Sequence, residues 1–99
     1  MSDRLDWSDL RERRMAEPGA GEAYEATRIA FELGQEVRHL REGQGWSQSQ
    51  LARAAGMTQS AVARFEAGGT MPTLPVLERL ARAFDRRLDI KFASEADAA

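Results

Sequence analysis

Apolar residues recur at steps of three and four between Glu22 and Glu42, at Ala26, Ile29, Ala30, Leu33, Val37 and Leu40, interrupted only by Gly34. That period is the stripe of an amphipathic helix, and the spacing predicts one long helix stopped by Gly43 and Gly45. Glu22, Glu25, Arg28, Glu32 and Glu36 occupy its other faces, so its outer surface is acidic. Three shorter periodic stretches follow. In the first, Leu51, Ala52 and Ala55 face inward behind a capping box made by Ser47 and Gln50, and Gly56 supplies the left-handed turn that ends it. In the second, Thr58 is the cap, Val62 and Phe65 are buried, and Gly68-Gly69 is the stop. In the third, Thr73 is the cap, Pro75 falls in the tolerant first turn, and Leu77, Leu80, Ala81 and Phe84 turn inward. From Leu88 to Phe92 the period drops to two, which places Leu88, Ile90 and Phe92 on one face of a short strand.

The pattern divides the chain into an arm over residues 1-21, a domain over 22-93 and a frayed tail over 94-99. In the arm, Trp7, Leu10 and Arg14 share one face of a short helix, and Pro18-Gly19-Ala20-Gly21 forms a tether. So short a helix needs a surface to lie against, either its own domain or a partner. A lone strand at 88-92 leaves its backbone groups unpaired. Pairing with the same strand of a second copy about a two-fold axis answers that need and makes the chain a homodimer; a tail packed on its own helices is the alternative.

With 99 residues, the chain suits a single small domain with one modest core. Apolar residues at 42% and charged residues at 30% are a globular composition, and no run approaches the roughly 20 apolar residues of a membrane span. Its acidic first residues lack the features of a signal peptide, so a cytoplasmic location is expected. Without cysteine there is no disulfide, thiol nucleophile or zinc finger. His39 stands alone, without a clustered carboxylate pair, so neither enzyme, metal, cofactor nor small-molecule substrate is expected. The net charge of −2 argues against nucleic acid until its distribution is read. Residues 1-42 carry seven Arg against ten acids, and residues 43-93 carry seven Arg or Lys against four. An acidic front and a basic back suggest two kinds of partner, with ordinary solvated faces as the alternative.

The second helix of the central pair leaves Gln59, Ser60, Ala63 and Arg64 outside. Small alanines let the backbone approach a surface, while Gln can pair bidentately with adenine and Arg with guanine in the major groove. The amides at both helix starts, near Gln48 and Gln59, are suited to receive phosphates. The competing reading is a plain solvated face.

Together these residues, SQSQLARAAGMTQSAVARFEAG, resemble the helix-turn-helix of the phage Cro and repressor type, the Xre-like family. The resemblance runs from about Leu33 to Leu88. It implies an all-α, five-helix lambda-repressor-like domain, here with an N-terminal helical extension and a short C-terminal strand used for dimerisation. By the resemblance Gln59, Ser60, Ala63 and Arg64 contact bases of double-stranded operator DNA, and Arg41, Ser47, Gln48, Thr58, Gly69 and Thr70 lie at phosphates. The family often pairs an Arg ending the first helix with the Glu before the closing Gly; Arg41 and Glu66 hold those positions. Leu88, Ile90 and Phe92 are the expected dimer interface, and a family dimer reads half-sites about 34-36 Å apart. Lys and Arg are scarce around the motif, a departure that implies weak nonspecific binding.

More loosely, the chain resembles HigA-like antitoxins, which join this motif to an N-terminal helical extension, a Tyr-Glu pair such as Tyr24-Glu25 and a C-terminal strand such as LDIKF. That implies an autoregulating repressor bound to a basic, RelE-like, mRNA-cleaving toxin through Trp7, Leu10, Tyr24, Glu25 and Glu32. A stand-alone regulator, and a protein-interaction module that has lost DNA binding, are the other readings.

Overall fold

The structure is a computed structural model that describes residues 20–95. Among the described residues there are four helices and no strand: α1 (Ala20–Gln44), α2 (Gln48–Ala55), α3 (Gln59–Glu66) and α4 (Leu74–Ala83). Trp7 and Leu10 lie outside them.

Local chemistry decides where the short helices start. Ser47 accepts from the Gln50 amide at 3.1 Å while the Gln50 side chain accepts from the Ser47 amide at 2.7 Å, the reciprocal capping box. Thr58 caps α3 by accepting from the Ala61 amide, and Thr73 caps α4 by accepting from the Val76 amide.

All four helices close on one pattern, in which a left-handed residue and its successor donate back to two of the last carbonyls. For α1 the bonds are Gly45 to Glu42 and Trp46 to Arg41; for α2, Gly56 to Arg53 and Met57 to Ala52. For α3 they are Gly68 to Phe65 and Gly69 to Arg64. In α4 the left-handed position is Asp85, at φ 57°, with Asp85 bonded to Arg82 and Arg86 to Ala81. Of the two glycines expected to stop α1, Gly43 and Gly45, the second does so. Gly43 stays helical, and the helix ends at Gly45, where φ reaches 73°.

The core consists of Val37, Leu51, Ala52, Ala55, Val62, Phe65, Leu80 and Phe84, with Leu33, Leu40, Trp46 and Leu77 packed around it. Leu51 and Val62 are fully enclosed, each stabilising the fold by about 1.5–3 kcal/mol. Trp46 stacks on Phe84 with ring centroids 5.8 Å apart, joining the α1–α2 loop to the end of α4. α3 packs on α2 and α1, and α4 packs on α2.

Two expectations are corrected. The stripe of α1 is buried only in part: Ala30 and Val37 are enclosed, whereas Ala26 and Ile29 are exposed, because the N-terminal half of the helix runs past the other three. Residues 88-92 do not form a strand, since no described segment offers them a ladder to join. Leu88 is half-buried, Ile90 is 61% exposed and Phe92 is 106% exposed. The described residues thus contain four of the five expected helices and no terminal strand; the helix expected around Trp7 and Leu10 lies outside them. The C-terminal segment instead borders a groove of about 780 Å³ whose wall includes Ile29, Leu33, Met71, Leu74 and Leu77.

Candidate nucleic-acid interface

Gly56 lets α3 follow α2 after only a short turn. Its φ of 69° is a conformation that a residue with a β-carbon adopts at a cost of about 1–2 kcal/mol. Val62, Phe65 and Glu66 then lie on the buried side of α3, and Gln59, Ser60, Ala63 and Arg64 lie opposite. Gln59, Ser60 and Arg64 are exposed and Ala63 is half-buried. The guanidinium of Arg64 has no ion pair among the described residues.

The first turns of α2 and α3 contain no acidic residue, so the positive ends of both helix dipoles are uncompensated. Caps satisfy the third amide of each helix, at Gln50 and Ala61. The amides of Gln48, Ser49, Gln59 and Ser60 have no intrahelical acceptor, which suits them to an anion. Ser47 and Thr58 are exposed at these helix starts, Gln48 is half-buried, and Gly69 and Thr70 are exposed after the C-terminal end of α3.

Three side chains and one backbone carbonyl meet behind α3. Arg41 Nε lies 2.7 Å from Glu66 Oε2, and its Nη2 lies 3.1 Å from Oε1. Nη1 donates to the Trp46 carbonyl at 2.8 Å, and Gln48 Nε2 donates to Glu66 Oε1 at 3.1 Å. The side chains of Arg41 and Glu66 are 12% and 4% exposed. The hydrogen bond that Arg41 donates to Glu66, opposed by burial, raises the Arg41 pKa above the usual guanidinium range. The expected pair is present, and the geometry adds Gln48 as a third member that motif spacing does not reveal.

Gly34, which reads in the sequence as a gap in a stripe, turns out to be a contact. A β-carbon there would fall 2.4 Å from the Phe65 carbonyl oxygen and 2.8 Å from that of Glu66. α1 therefore touches the backbone of α3 directly. The clue is a lone glycine within an otherwise unbroken helical pattern. Arg79 adds a tie from α4, donating to the Gly56 carbonyl at 3.3 Å.

The other expected site residues stand apart from this surface. Glu25 and Glu32 are exposed on α1 and share Arg28, at 2.8 and 2.9 Å, while Tyr24 is half-buried. Leu88, Ile90 and Phe92 lie in the C-terminal segment.

Comparison with known proteins agrees with this arrangement. A candidate HTH-type transcriptional regulatory protein of Pyrococcus abyssi (strain GE5 / Orsay) is 40% identical over 55 residues, 56% of this chain and 17% of that protein. The competence pilus inhibition repressor of Acinetobacter baylyi (strain ATCC 33305 / BD413 / ADP1) is 39% identical over 55 residues, 56% of this chain and 50% of that protein. The chain thus spans half or less of the length of these relatives. The crystal structure of the restriction-modification controller protein C.AhdI from Aeromonas hydrophila aligns with a TM-score of 0.59 at 33% identity, covering 61% of this chain and 91% of that one. Residues 37–91 match the helix-turn-helix family model, and the chain belongs to that family, in its Xre-type branch.

Proposed function

We propose that this chain is a sequence-specific transcriptional repressor that reads double-stranded operator DNA with α3 in the major groove. The observation that carries the reading is the joint exposure of Gln59, Ser60 and Arg64 on one face of a helix whose other face is anchored by Val62, Phe65 and the Arg41–Glu66 pair. Gln59, Ser60 and Arg64 contact base edges, and Ala63 allows close approach. Ser47, Gln48, Thr58, Gly69 and Thr70 surround the phosphates, with Gln48 contributing its amide because its side chain is held by Glu66. Arg41 acts by seating α3 rather than by touching a phosphate, since three of its nitrogens are engaged internally.

The active species is a homodimer assembled through Leu88, Ile90 and Phe92. In support, Leu88 and Ile90 line an apolar groove, and Ile90 and Phe92 are largely exposed. Replacing Gln59 and Arg64 together by alanine is expected to abolish the gel shift of DNA from upstream of the gene while leaving the circular dichroism spectrum intact. An unchanged shift would overturn the assignment.

A second reading, an antitoxin that also holds a basic toxin, is favoured by the exposure of Glu22, Glu25, Glu32 and Glu36 along α1. Trp7, Leu10 and Tyr24 would complete that surface. Co-purification of a basic partner with the full chain, lost on removal of residues 1-32 while DNA binding persists, is its test.

A further inference from the structure

Gly68 and Gly69 follow α3 as a pair, but they meet different demands. Gly68 has a φ of 77° and ends the helix, whereas Gly69 is not among the residues with positive φ and has no backbone reason to be glycine. Its constraint is a side chain. A β-carbon at Gly69 would lie 3.1 Å from Arg64 Cγ and 3.4 Å from the Arg64 carbonyl oxygen, whereas the Gly69 amide already donates to that carbonyl at 2.9 Å. The stem of Arg64 therefore runs across the bare Cα of Gly69.

We propose that Gly69 is a specificity-determining residue that sets the direction in which Arg64 leaves α3. The inference rests on the reading of Arg64 as a base contact. Arg64 is exposed and no ion pair among the described residues holds its guanidinium, so no described residue fixes its course at the far end. Its course is set at the near end, where Cγ passes the glycine. A bidentate contact with one base tolerates little displacement, because both hydrogen bonds need good alignment at once. A methyl group at position 69 pushes the stem aside by a few tenths of an ångström. The guanidinium, three bonds further out, moves more.

The test uses the full chain and a duplex selected by the wild-type protein from a randomised library, together with its single-base-pair variants. Gly69 is exposed and its φ is not positive, so Gly69→Ala is expected to fold and to match the parent in melting temperature. Arg64→Ala is expected to erase discrimination at one base pair. Gly69→Ala is expected to weaken binding about 5- to 10-fold and to flatten discrimination at that same base pair only. In an Arg64→Ala background it is expected to change affinity by less than about two-fold, the non-additivity of two residues acting through one contact.

A Gly69→Ala loss that is equal for every base variant, or that persists undiminished without Arg64, would overturn the proposal and leave Gly69 as a phosphate contact. Wild-type affinity and discrimination in Gly69→Ala, with discrimination lost in Arg64→Ala, would overturn the proposal while preserving the base-contact reading. Undiminished discrimination in Arg64→Ala would overturn both.

Discussion

Arg41 and Glu66 stand 25 positions apart and meet in a two-pronged ion pair, with Nε and Nη2 of one on the two carboxylate oxygens of the other. The pair joins the last turn of α1 to the last residue of α3. Removing one partner strands a charge in a place closed to water. Arg41→Ala is therefore expected to destabilise the fold by about 3–5 kcal/mol, read as a lower midpoint in urea denaturation. Arg41→Lys is expected to recover only part of this, because an ammonium cannot reproduce the planar fork. A midpoint for Arg41→Ala equal to the parent's would show that the pair contributes nothing to stability.

Two glycines of α1 should respond to alanine with opposite signs. At Gly34 the new β-carbon meets two carbonyl oxygens of α3, and a loss of about 1–3 kcal/mol is expected from forced separation of the helices. At Gly43 nothing lies within 4 Å, and alanine is expected to stabilise the helix by about 0.5–1 kcal/mol. Thermal melts of the two variants side by side check the contrast. Equal shifts would refute it.

Asp85 is the only non-glycine described residue with positive φ, and it ends α4 in the position that Gly45, Gly56 and Gly68 fill for the other helices. Asp85→Gly relieves the strain of a β-carbon in the left-handed region, offset in part by the freedom that glycine gains in the unfolded chain. A net gain of about 0.5–1 kcal/mol is expected in chemical denaturation. Destabilisation by Asp85→Gly would mean that the carboxylate does something the backbone angles do not reveal.

The proposed dimer gives a further expectation. Ile90 is 61% exposed at the edge of the apolar groove, so Ile90→Lys costs a single chain little but places a charge in a two-fold interface. Sedimentation is expected to show the parent as a dimer and Ile90→Lys as a monomer, with DNA affinity falling in parallel. An Ile90→Lys chain that sediments at the mass of the parent would refute assembly through this segment.

What the sequence conveyed was governed by how local the causes are. Ser47 with Gln50, Thr58 and Gly56 act within a turn or two of themselves, so the frame of α2 and α3 can be read from spacing alone. Arg41 and Glu66 were legible for a different reason, a motif resemblance, because nothing local announces a partner 25 residues away. Gly34, the bond from Gln48 to Glu66 and the passage of Arg64 over Gly69 depend on how closely two helices approach, which periodicity does not encode. Periodicity also overextended. It marks the side of α1 that is able to be buried, but not how far the neighbouring helices reach along it, and Ile29 remains outside. At Leu88 to Phe92 alternation predicts a strand that does not form, because alternation describes side chains, whereas a strand is made by a backbone partner.

The close approach at Gly34 is to main-chain oxygens of Phe65 and Glu66, atoms that every amino acid possesses. The seat of α3 on α1 is therefore indifferent to the side chains on the far side of that helix. If Gln59, Ser60 and Arg64 do read DNA, this scaffold can drift from one target sequence to another by exchanging those three residues, each trial leaving the fold nearly as stable as before. Evolvability of recognition would then reside in a glycine that never faces the DNA.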